Sequence, residues 1–114
     1  MEDINLVKVK AMELATTACM HGALLSKHLF VLSQICMKTK YPKHRVIVEE
    51  IWDNNMLSII KDLRCYKLVK RHRNSSKICV SLESDISALE VELMMWDVKE
   101  LDIYYTIHNT PRPY

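Results

Sequence analysis

A chain of 114 residues, 49% hydrophobic and 26% charged, has room for one compact domain with a core of its own. No apolar run approaches the roughly 18 residues that cross a bilayer, and MEDINLVKVK lacks the apolar stretch of a secretory leader, so neither span nor export is expected. Net charge is only +2, but it is unevenly spread: residues 1–37 balance, residues 38–77 hold eleven basic against four acidic side chains (+7), and residues 78–114 hold two against seven (−5).

One glycine and three prolines favour a mainly helical chain with few turns. Ile4, Val7, Ala11, Leu14 and Ala18 recur in steps of three and four, which predicts an N-terminal helix within 1–21, broken at Gly22. Leu25, Leu29, Leu32 and Cys36, joined by Leu24, Phe30, Val31 and Ile35, predict a second helix that is apolar all round and therefore central. It must stop before Pro42, leaving Lys38–His44 as an exposed basic loop. Val46, Val48, Ile51 and Trp52 suggest a short helix over Arg45–Trp52, after which Asp53 is placed to cap the next helix. In that helix Met56, Ile59, Ile60 and Leu63 form the inward stripe, with Asn54, Asn55, Ser58, Lys61 and Asp62 outside.

Lys67–His72 and Lys77–Leu82 then read as antiparallel strands joined by the polar turn Arg73-Asn74-Ser75-Ser76. Leu68 belongs to the buried face of the first strand, with Lys70 and His72 turned the other way; Ile78, Val80 and Leu82 line the buried face of the second. Ser84 or Asp85 caps a final helix over 84–106, with a stripe at Ile86, Leu89, Leu93 and Trp96 and a second set at Met94, Val98, Leu101 and Tyr105. Residues 107–114, with two prolines, are expected to be irregular.

An amphipathic helix, a basic strand, a polar turn and a second strand, in that order, are the parts of a recognition helix followed by a β-wing. Residues 24–82 thus read as a winged helix-turn-helix core, within a single domain that is mainly α with a small β-hairpin. The segment Leu63-Arg64-Cys65-Tyr66-Lys67-Leu68-Val69-Lys70-Arg71 resembles the MarR/SarA class of transcription regulators, which carry a leucine, three variable residues, usually a glycine, then Leu-Val-x-Arg. Ile78-Cys79-Val80-Ser81-Leu82 is similar to that class's apolar strand ending in Ser-Leu, and the likeness covers about residues 24–95. Three departures stand out. Lys67 replaces the usual glycine, Ile51–Met56 is about two residues short, and Ser76 occupies the place of a wing arginine, with Lys77 beside it. The resemblance implies a homodimer joined through its terminal helices and bound to double-stranded DNA. The apolar surplus at Met94, Met95, Trp96, Tyr104 and Tyr105 independently suggests a partner interface.

For DNA, Asn54, Asn55, Ser58 and Lys61 are the candidates to meet base edges or phosphates in the major groove. Lys70, Arg71, Arg73 and Lys77 are the candidates to meet the backbone or a narrow minor groove. The expected function is a small dimeric transcriptional regulator; the alternative is a winged helix used for protein–protein contact. No phosphate loop or nucleophile elbow is present, so no catalytic group and no cofactor is expected. His44, Cys65, His72 and Cys79 lack the short spacing of zinc sites, so no metal is expected either. Cys19, Cys36, Cys65 and Cys79 form no C-x-x-C pair, which suits a reducing, cytoplasmic setting.

Overall fold

The computed structural model describes residues 3–48, 56–73 and 77–108, with the backbone alone from 98 onward. Helix α1 (Ile4–Met20) starts at Asp3, whose carboxylate accepts the Asn5 N–H at 2.9 Å. Its buried face is Val7, Ala11, Leu14, Ala15 and Ala18, and the three alanines allow a close approach by the last helix. Helix α2 (Ser26–Lys38) ends at Thr39, whose buried hydroxyl donates to the Ile35 carbonyl at 2.7 Å. It is less enclosed than its composition suggests. Phe30 and Met37 are exposed, as is Leu25 just before it, because Val31, Leu32, Ile35 and Cys36, with Leu29 partly buried beside them, take the side of the helix that faces the core.

The predicted helix over Arg45–Trp52 is corrected at its start. Val46–Ile47 form strand β1, and Val48 continues it by donating its N–H to the Ile78 carbonyl at 3.1 Å. Three consecutive β-branched residues lose side-chain freedom in a helix and pack well on a pleated sheet, and a partner strand is available to satisfy their backbone. Residues 49–52 lie outside those described, as does the predicted cap Asp53.

Helix α3 (Met56–Cys65) buries Met56, Ile59, Ile60 and Leu63, the predicted stripe. Strands β2 (Val69–His72) and β3 (Cys79–Leu82) pair antiparallel, and β3 also pairs with β1, giving the order β1-β3-β2. A half-buried β3 is corrected too: Cys79 and Ser81 are as buried as Val80 and Leu82, because β3 is flanked on both sides. Helix α4 (Ile86–His108) runs two residues beyond the predicted end. Its cap is Asp85, which accepts from the Ser87 and Ala88 N–H groups at 3.0 and 3.3 Å. Ser84 instead accepts the Lys43 N–H at 3.1 Å.

The core gathers Leu14, Leu32, Ile35, Ile59, Leu63, Leu68, Val80, Leu82 and Leu89 from α1, α2, α3, the sheet and α4. Trp96 belongs to it. At 7% exposure it lies between His21 and Tyr66, with ring centroids 5.0 and 5.7 Å away, and so is not part of an outward apolar face. The chain is mainly helical with a small three-stranded antiparallel sheet. No described helix is long and apolar enough to cross a membrane.

Candidate nucleic-acid interface

Helix α3 presents Leu57, Ser58, Lys61, Arg64 and Cys65 to solvent, a face set by the buried stripe opposite. Ser58 and Lys61 are thus displayed as predicted. Arg64, three residues after Lys61, doubles the positive charge of that face; it is not among the residues predicted above, although helical spacing alone places it there. Asn54 and Asn55 lie outside the described residues.

The one carboxylate in α3, Asp62, is tied back to α2. Its Oδ2 lies 2.8 Å from Nε2 of His28, a side chain only 3% exposed. His28 Nδ1 accepts the Leu25 N–H at 3.0 Å, so the ring's proton is on Nε2 and is donated to Asp62. This bond does two jobs. It closes the start of α2, where Leu25 has no capping hydroxyl, and it anchors the acid beside α2. Nothing local in the sequence signals a contact between residues 34 positions apart.

The end of α3 decides where the basic strand goes. Leu68 donates its N–H to the Leu63 carbonyl and Lys67 to the Arg64 carbonyl, both at 3.0 Å, the paired bonds of a Schellman turn. Lys67 occupies its left-handed position, with φ 62°. A residue with a Cβ costs roughly 1–2 kcal/mol there, and burying Leu68 fully in the core returns about 1.5–3 kcal/mol. Burial wins, and β2 starts at once beside α3.

Strand alternation then divides the basic side chains between two faces. Arg71 stands opposite Val80 of the core, so it emerges on the face that carries α3. Lys70 stands opposite Ser81 on the reverse face, where its ammonium lies 3.6 Å from Glu83. Grouping Lys70 with Arg71 as one DNA contact is therefore not what the register brings together. Arg73 and Lys77 are exposed at the two ends of the hairpin turn, whose residues 74–76 lie outside those described. On the reverse face His72 Nε2 lies 2.7 Å from Ser81 Oγ; partial burial, then Arg45 and Lys70, hold its pKa below the ordinary imidazole value.

Among the described residues no three His, Cys, Asp or Glu side chains gather as a metal site would require. All four cysteines are unpaired; burial pushes the Cys36 thiol up to about 11, whereas Cys65 is exposed. No family model matches this chain, and no curated protein or solved structure matches it significantly.

Proposed function

We propose that the chain is a winged helix-turn-helix protein that binds double-stranded DNA as a homodimer and regulates transcription. Helix α3 enters the major groove with Ser58, Lys61 and Arg64, while Arg71, Arg73 and Lys77 of the hairpin neutralise backbone phosphates. The observation that carries this reading is the tight turn at Tyr66–Leu68. It leads the chain straight from α3, with Lys61 and Arg64 exposed, into β2, whose core-side face carries Arg71. The left-handed backbone at Lys67, where the resembling regulators usually carry glycine, supports the same layout.

Dimerisation is supported by apolar side chains on the two packed terminal helices. Leu6 and Val9 of α1 and Val91, Met94 and Met95 of α4 are between 43% and 64% exposed. Sedimentation of the wild type should give a dimer, and Val9→Glu with Met94→Glu a monomer.

Binding to a mixed-sequence duplex at low and moderate salt tests the main claim. Counterion release predicts a steep fall in affinity with salt, and Arg71→Ala/Arg73→Ala should reduce both the affinity and the slope. Binding that is absent, or indifferent to salt and to that double variant, would favour the second reading, a winged helix for protein contact. Leu57 motivates that alternative, because it is 56% exposed in the first turn of the α3 face.

A further inference from the structure

The sheet face turned away from α3 holds a pocket of about 730 Å³, within the range of small-molecule sites. Lys43, Arg45, Lys70, His72, Ser81 and Glu83 line it. The register explains their convergence. Ser81 faces Lys70 across one ladder, and one step beyond the Val46–Val80 pair of the other ladder Arg45 falls opposite Ser81. Two cations thus flank a small hydroxyl on adjacent strands, with roughly 10 Å between their backbones, two strand spacings. Such a gap suits an oxyanion, and without one the like charges repel.

The acids in the pocket are largely occupied by the fold. Glu83 accepts the Asp85 N–H at 3.0 Å with one oxygen and meets Lys70 at 3.6 Å with the other. Asp85 accepts the first N–H groups of α4. Among the described residues Arg45 has no carboxylate within ion-pair distance. His72 lies in the same pocket: Lys43, Arg45 and Lys70 line it with Glu83 and Asp85, Cys79 stands across from it, and partial burial first, then Arg45 and Lys70, lower its pKa.

We propose that this pocket binds a small molecule bearing a phosphate or carboxylate group, held by Arg45 and Lys70, with the Ser81–His72 pair at its floor. The proposal does not depend on DNA binding, since the pocket lies on the reverse face from Arg71 and α3.

Inorganic phosphate titrated into the full chain, followed through the His72 ring signals by NMR, tests it against matched chloride. Saturable binding is expected, with the His72 titration midpoint moving up as the anion offsets the positive field. Arg45→Ala/Lys70→Ala, both at exposed positions, should weaken binding at least about tenfold, the scale of one charged hydrogen bond, with circular dichroism unchanged. Lys27→Ala should leave it intact. Shifts that fail to saturate, equal those of chloride, or persist in the double variant would overturn the site. A duplex-binding arm separates the two sources of phosphate. Unchanged duplex affinity in Arg45→Ala/Lys70→Ala supports a free small anion, whereas a loss matching Arg71→Ala/Arg73→Ala overturns it in favour of backbone phosphate.

Discussion

Helices α1 and α3 end in the same way with different residues. At α1, His21, Gly22 and Ala23 donate to the carbonyls of Thr17, Cys19 and Ala18; at α3, Tyr66, Lys67 and Leu68 donate to those of Asp62, Arg64 and Leu63. The left-handed position is Gly22 (φ 77°) in one and Lys67 (φ 62°) in the other. The residue before each, His21 and Tyr66, sets a tilted ring against Trp96 of α4. One end uses the residue that suits the backbone. The other tolerates strain because the leucine that follows is fully buried just ahead of strand β2. Local preference sets the first turn, and tertiary packing sets the second.

The largest way to break this parallel is to remove what the two ends share. Trp96→Ala should cost about 3–5 kcal/mol, read as a lower urea midpoint, and should loosen both ends together in amide exchange. Loss of protection at only one end would show that the other is held by its own turn. Next comes the part-buried fastening that ties α3 to α2. His28→Ala leaves the Leu25 N–H and Asp62 without their partner and should cost about 1–3 kcal/mol, with the exchange of α3 rising more than that of α1.

Smaller still is a mirrored pair. Nothing lies within 4 Å of a Cβ built on Gly22, so Gly22→Ala tests backbone strain alone and should destabilise by about 1 kcal/mol. Lys67→Gly should stabilise by about 1 kcal/mol, while removing one exposed cation from the α3 side. A Lys67→Gly protein no more stable than wild type would mean that the left-handed turn carries no strain. The smallest effect is chemical: at pH 8 Cys65, exposed in the last turn of α3, should be alkylated before the half-buried Cys19 of α1. Cys36, with its pKa near 11, should react last. Mass spectrometry at short times gives the order.

The same contrast explains what could be read from residues in a row. The α3 stripe was legible because four apolar side chains at helical spacing admit one buried face. The alternation of β2 was legible only one residue out: positions 68, 70 and 72 share a parity, but Leu68 is spent in the turn, so the strand runs Val69–His72 with Val69 inward and Lys70 and His72 on the reverse face. What alternation could not say is which face α3 would share, so Lys70 was grouped with Arg71 although Glu83 holds it on the reverse side. The strand at Val46–Ile47 read as a helix because its partner, β3, lies more than 30 residues later.

By itself, then, the sequence determined a helical chain with one basic middle segment, a glycine-closed first helix and a hairpin about two-thirds of the way along, all consequences of spacing within a few residues. Only the tertiary structure decided that Lys67 would adopt a backbone suited to glycine, that a histidine would hold Asp62, and that Arg45 and Lys70 would flank Ser81. Each of those depends on groups far apart in the chain, whose free energies are compared only once the core brings them together.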